Sequence, residues 1–304
     1  NSWSGLCWAP ELGLFVSVGA SGTGNRVMTS PDGITWTVRT SAADNNWRSV
    51  CWSPELGLLV AVADSGTGNR VMTSPDGITW TLRTSAVDNP WASVCWSPQR
   101  GLFVAVAGSG TNRVMTSPDG ITWSAQVTPG VAYRRAVWAA ELGLFVASAG
   151  TGTGNRISAS PDGVTWTART SAADNDWRGL AWSPQLGLLV ATAISGTGNR
   201  VMTSPDGITW TLRTSPADNS WTFVEWSPQL GLFVAIASAG VGTGDRVMTS
   251  PDGITWTVRT SATDNAWQVV RWSPELGLFC AVANSGTGNR AMTSVSAFKY
   301  PYRS

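Results

Sequence analysis

One unit of about 44 residues recurs along the whole chain, and that recurrence leaves few folds open. Trp3, Trp47, Trp91, Tyr133, Trp177, Trp221 and Trp267 fill the same position of the unit. Seven units therefore account for all 304 residues, with approximate limits of 1–45, 46–89, 90–132, 133–175, 176–219, 220–265 and 266–304. A unit this short cannot enclose a core of its own, so neighbouring units must stack to bury their apolar faces.

The second unit shows the internal order. A short run, Trp47 to Trp52, ends at Ser53-Pro54-Glu55-Leu56-Gly57. An apolar run, Leu58 to Ala63, ends at Ser65-Gly66-Thr67-Gly68-Asn69. Arg70 to Thr73 follows and is closed by Ser74-Pro75-Asp76-Gly77; Ile78 to Arg83 completes the unit before the loop Thr84 to Asn89. Each run is four to six residues long, rich in β-branched and aromatic side chains, and bounded by Gly, Pro, Asn or Asp. Those are strand and hairpin signals, and no segment carries a helical period. The second run is apolar throughout, which suits a strand buried on both faces. Four short antiparallel strands per unit and seven units predict an all-β, single-domain, seven-bladed β-propeller.

The last unit ends Ser294-Val-Ser-Ala-Phe-Lys-Tyr-Pro-Tyr-Arg-Ser304, which aligns with Ser74–Thr84 and places Tyr300 at the tryptophan position. It reads as a degenerate outer strand of the seventh blade. The ring is then expected to close by packing blade seven on blade one, with no strand exchanged between the chain ends. A chain starting at Asn1 without methionine reads as a processed product or a fragment.

The hairpin Ser-Pro-Asp-Gly-Ile-Thr-Trp occurs at 30–36, 74–80, 117–123, 204–210 and 250–256, and at 160–166 with Val164 for isoleucine. It resembles the Asp-box of the BNR-repeat propellers, with one residue fewer between Asp and Gly. The resemblance implies a box between the third and fourth strands of each blade, with the Asp carboxylate folded back on the turn. It implies little about activity, since Asp-boxes occur in sialidases, other glycoside-acting proteins, lectins and proteins of unknown role. A sialidase-like hydrolase would need a Tyr–Glu nucleophile pair and an acid/base Asp. The only tyrosines are Tyr133, Tyr300 and Tyr302, and there is no histidine to serve as a general base or metal ligand. Near-identical units are also what selection for one asymmetric site would erode. No enzymatic activity, cofactor or metal is expected.

Composition narrows the partners. Charged residues make up 13%, the net charge is +1 and Lys299 is the only lysine, which argues against nucleic acid or a polybasic membrane surface. No apolar run approaches the ~20 residues of a membrane span. Cys7, Cys51 and Cys95 recur at unit spacing and, with Cys280, read as small buried apolar residues. A monomer is expected, and the Ser/Thr/Gly/Asn-rich, lysine-poor surface points to an extracellular or particle-surface setting.

Alternation along the strands puts the Gly-Thr-Gly-Asn-Arg loops and the Asp-Asn-x-Trp loops on one face of the disc, with the Ser-Pro-Glu-Leu-Gly and Ser-Pro-Asp-Gly turns on the other. The first face repeats an Asp, an Asn, an Arg and an indole at blade junctions: Asp44, Asn45, Trp47 and Arg70; Asp88, Asn89 and Trp91; Asp174, Asn175, Trp177 and Arg200; Asp218, Asn219, Trp221 and Arg246; and Asp264, Asn265, Trp267 and Arg290. Polar acceptors beside an aromatic plane are the makings of a sugar site, so a non-catalytic, multivalent, lectin-like module is one reading. On the other, the Arg pairs with the loop Asp, the Trp is inter-blade core, and the chain is a protein-interaction or structural scaffold, recently duplicated or engineered. The repeat is broken at few places. Glu225 and Arg271 replace the recurring cysteine on adjacent blades and are expected to pair beside the central channel; unit three lacks the Asp-Asn loop over Ser124–Ala132; unit six lengthens a loop over Ser238–Gly244.

Overall fold

The computed structural model describes residues 1–297. Seven antiparallel sheets stand around a central axis, each built from consecutive strands of one unit. Six have four strands, and the seventh has three among the described residues, Trp267–Ser273, Leu278–Ala283 and Ala291–Thr293. The degenerate outer strand expected at the C-terminus lies outside the described residues from Phe298 onward. No helix is long and apolar enough to cross a membrane among the described residues.

In blade two the strands are Trp47–Ser53, Leu58–Ala63, Val71–Ser74 and Thr81–Arg83, running from the axis outward. Leu59 to Ala63 are all buried, because neighbouring blades cover both faces of this strand. The outer strand is three residues long, and its Thr81 and Leu82 are exposed. A short, polar outer edge of this kind is a poor template for edge-to-edge pairing.

The Ser-Pro-Asp-Gly hairpin is what fits one blade onto the next. Asp76 Oδ1 accepts from the Ile78 and Thr79 amides at 2.8 and 2.7 Å and from Ser74 Oγ at 3.0 Å. Burial raises the Asp76 pKa and these hydrogen bonds outweigh it, so the carboxyl titrates below its ordinary value. In blade three, Gly120 holds φ +73° at the same turn, and a Cβ there would lie 2.9 Å from Leu58 and Val60 of blade two. Only glycine allows both the conformation and the close approach. Gly33 of blade one sits in the same way against Cys280 and Thr293 of blade seven. Blade seven has no Ser-Pro-Asp-Gly sequence, and among the described residues an apolar groove of about 470 Å³ lies between Leu232 and Val234 of blade six and Phe279 of blade seven.

The opposite edge of each innermost strand carries a latch that the sequence reading passed over. Trp52 Nε1 donates to Glu11 Oε2 of the preceding blade at 2.6 Å. The same bond joins Trp96 to Glu55, Trp138 to Gln99, Trp182 to Glu141, Trp226 to Gln185 and Trp272 to Gln229, at 2.5–2.7 Å. Trp8 to Glu275, at 2.6 Å, closes the circle between blades one and seven. On the other face Arg290 of blade seven donates to the Asn1 carbonyl, and Arg271 Nε donates to the Leu6 carbonyl at 3.0 Å. The ring thus closes by packing the terminal blades together, with no strand exchanged among the described residues.

Replacing Glu11 by Ala removes one acceptor from this circle and is expected to lower stability by about 1–3 kcal/mol, since hydrogen bonds to charged groups are the stronger kind. Glu11→Gln is expected to stay within about 0.5 kcal/mol of the parent, because Gln99, Gln185 and Gln229 already make the same bond. Denaturant unfolding of both variants measures the difference.

Candidate functional site

The repeated junctions come first, because the loop between two blades is built there. Asp88 Oδ1 accepts from the Gly68 amide of its own blade at 2.7 Å, while Asn89 Nδ2 reaches the Thr111 and Asn112 carbonyls of the next blade at 2.9 and 3.0 Å. One dipeptide therefore ties two blades. Asp44 and Asn45, Asp174 and Asn175, Asp218 and Asn219, and Asp264 and Asn265 bond likewise to the loops on either side. Arg70 donates to the Gly66 and Asp64 carbonyls and stands 3.7 Å from Asp88; Arg200 and Arg246 stand 3.6 and 3.7 Å from Asp218 and Asp264. Arg290 donates to the Gly286 carbonyl.

Trp47, Trp91, Trp177, Trp221 and Trp267 have no exposed surface, and each indole N–H is taken by a backbone carbonyl four residues earlier. The structure thus brings Asp, Asn and Arg together on one face and sets the indoles behind them in the core. What the junctions leave open is the Asp carboxylates, whose side chains are 31–42% exposed.

Where the units differ, the differing loops are closed by local bonds. In unit three the loop after the second strand is one residue shorter, and Asn112 takes the left-handed conformation with φ 44°. Arg113 there donates to the Gly130 carbonyl at 2.8 Å in place of an Asp-Asn loop. In unit six the longer loop is held by Asn219 Oδ1, which accepts from Val241, and by Asp245 Oδ2, which accepts from Gly242, both at 2.8 Å.

On the axis the units diverge in a concerted way. Phe223 is buried in the channel, with the Arg135 guanidinium 4.0 Å from its ring centroid and that of Arg271 at 4.8 Å. Glu225 and Arg271 pair at 2.7 Å, as the sequence suggested. Arg135 has no carboxylate partner among the described residues, and its Nε makes no hydrogen bond. Burial lowers its pKa, the nearby Arg271 charge lowers it further, and it falls to about 9. The cysteines are free thiols; burial pushes Cys51 up to about 12 and the other three upward as well, away from thiolate chemistry.

Above Phe223 the channel opens into a polar mouth of about 430 Å³ on the loop face. A β-bulge follows the first residue of every innermost strand, at Trp47/Ser49 in blade two, and re-aims the second residue toward this rim. The seven rim residues are Ser4, Arg48, Ala92, Arg134, Arg178, Thr222 and Gln268. Arg48 pairs with Asp64 at 2.5 Å, and Asp176 is shared by Arg134 and Arg178, each at 3.1 Å. The sequence reading missed this rim. Its signal was a slot filled by five residue types in seven units, directly after a tryptophan or tyrosine position that barely changes. Among the described residues no group of three His, Cys, Asp or Glu side chains could hold a metal ion.

No protein-family model matches the chain, and no curated protein matches it. Solved structures do. A streptogramin B lyase superposes with a TM-score of 0.77 at 10% identity, covering 93% of this chain and 91% of that one. The Cps50 (Swd1) β-propeller domain of Myceliophteria thermophila superposes with a TM-score of 0.70 at 14% identity, covering 97% of each chain. At such identities the likeness is one of fold: a seven-bladed β-propeller with repeated blades.

The junction geometry separates two neighbours in sequence. Asn89→Ala removes a buried side chain that donates to two inter-blade carbonyls and is expected to cost about 1–3 kcal/mol. Asp88→Ala removes a solvent-screened carboxylate and is expected to cost less than about 1 kcal/mol. Equilibrium unfolding of the two variants checks the order.

Proposed function

We propose that this chain is a non-catalytic binding module that takes its ligand at the axial mouth of the loop face. The observation carrying this reading is where the side chains depart from the repeat. Arg135, Phe223, Glu225 and Arg271 each occur only once in their slot, while Arg48, Arg134 and Arg178 share a slot that other residues fill in blades one, three, six and seven. Together they come from blades two, four, five, six and seven and meet around one axis. A single ligand on a sevenfold scaffold can be contacted by several blades at once only there.

The non-catalytic part is supported by how the reactive groups are occupied. Asp64 and Asp176 are held by arginines, and the Tyr133 hydroxyl donates to Ser158 Oγ at 3.0 Å. Burial also raises the Tyr133 pKa. The Ser-Pro-Asp-Gly hairpins, each closed by Ser Oγ and Asp Oδ1, support grouping the chain with the Asp-box propellers.

One observation favours a second reading, lectin-like sites repeated at the junctions. Five equivalent Asp side chains are partly exposed on the loop face, and weak sites repeated on one scaffold gain avidity where geometry permits. Against it, the buried indoles offer no stacking plane.

Binding of a mixed panel of glycans, peptides and small anions to the parent protein, Ala92→Trp and Asp88→Ala discriminates the readings. Ala92→Trp fills the mouth without changing charge, and Ala92→Gln serves as the milder substitution if folding suffers. Ligands lost in the Ala92 variants and kept by Asp88→Ala are the expected result. Ligands that survive a filled mouth and weaken with Asp88→Ala would assign function to the junctions instead. A peptide ligand lost with the mouth would make this a protein-interaction propeller.

A further inference from the structure

We propose that the axial mouth is a single oxyanion site, taking a carboxylate or phosphate group between Arg48, Arg135 and Arg178. This deepens the binding reading above and rests on it. The charges of the mouth do not balance internally. Four guanidinium groups, Arg48, Arg134, Arg135 and Arg178, are met by two carboxylates, Asp64 and Asp176, which leaves two positive charges over.

The excess is localised. Arg135 lacks a carboxylate partner and its Nε is buried without a hydrogen bond; the Nε of Arg178 is likewise buried and unpartnered. Buried charges are ordinarily paired and buried donors ordinarily satisfied, so two such donors at one opening mark a place where an acceptor belongs. The ring of Phe223, 4.0 Å from the Arg135 guanidinium, offers it a π face but no acceptor oxygen. Burial lowers the pKa of Arg135 first and the Arg271 charge lowers it further, with Glu225 opposing the shift only in part.

The geometry also makes room. Along the ring Ala92 sits between Arg48 and Arg134, and its short side chain and Gly108 line the mouth on blade three. Arg48 and Arg178 are about two-fifths exposed at their side chains, so their guanidinium ends can turn onto a guest while the aliphatic stems stay packed. Planar guanidinium forks match carboxylate and phosphate oxygens in bidentate fashion. A mouth of about 430 Å³ holds more than the anionic group alone, and Ser4, Ser109, Thr222 and Gln268 line it for polar contacts to the rest of the molecule. A nucleic-acid strand does not fit this pattern, because the positive charge is confined to one opening and the chain as a whole carries only +1.

Calorimetric titration of the full chain with inorganic phosphate, with citrate and with uncharged glycerol, in a low-salt buffer, tests the assignment. Expected are one site per chain for at least one anion, no binding of glycerol, and a loss of about tenfold or more in affinity in Arg135→Met and in Arg178→Met. Arg135→Met removes a buried Nε donor that has no hydrogen bond and keeps an unbranched stem beside Phe223, so it should unfold no earlier than the parent on heating, and loss of binding there cannot be ascribed to misfolding. Phosphate binding without citrate binding assigns the group to a phosphate, and the converse to a carboxylate. Absence of binding for both anions, or binding unchanged in both arginine variants, overturns the oxyanion site. A neutral ligand that binds the parent and is lost in Ala92→Trp, with both anions silent, would overturn the oxyanion assignment while leaving the mouth as the binding face. Ligands indifferent to Ala92→Trp would sink both.

Discussion

The whole molecule depends on each blade covering the apolar second strand of its neighbour. A four-stranded sheet of about 40 residues has two apolar faces and no interior, so it is stable only between two others. Leu59 to Ala63 of blade two are buried on that account, and the hairpin glycines exist because the contact leaves no space for a Cβ. The tryptophans serve the same contact at both ends of the innermost strand. Trp47 and its equivalents fill it on the loop face, while Trp52 and its equivalents hold the neighbouring turn on the other.

From this follows a division of labour among side chains. Residues that repeat are those the inter-blade contact uses: Trp, the hairpin Ser and Asp, the Asp-Asn loop, the loop Arg and the turn Glu or Gln. Their polar atoms are largely spent on neighbouring backbone. The innermost strand is under a weaker demand at the residues facing the axis, since seven different side chains can share one channel. There the chain holds a buried Phe223, a Glu225–Arg271 pair and an arginine with no carboxylate partner among the described residues. Variation is tolerated on the axis and concentrated there.

Much of this was legible in the sequence. The 44-residue period, the apolar second strand and the Ser-Pro-Asp-Gly turns lead directly to seven four-stranded blades, because each signal is local and occurs six or seven times. The Glu225–Arg271 pair was legible because it broke a recurring slot in adjacent blades. Two features were not. The Trp52–Glu11 latch joins residues 41 apart, both already accounted for by core packing and by turn formation. The arginine mouth depends on a bulge that re-aims Arg48, Arg134 and Arg178, and strict alternation along a strand does not reveal a bulge. The same strands decide the fate of Trp47. Periodicity could place it near the loop face, but only the packing of two blades shows that its ring has no open side.

The central claim is that the repeated surface is structural and the ligand sits on the axis. Crystals soaked in selenate, an oxyanion visible by anomalous scattering, address it most directly. The account requires one peak per chain in the mouth, within hydrogen-bond distance of Arg135 or Arg178. Peaks confined to the junction loops beside Arg70 and its equivalents, with nothing on the axis, would contradict it.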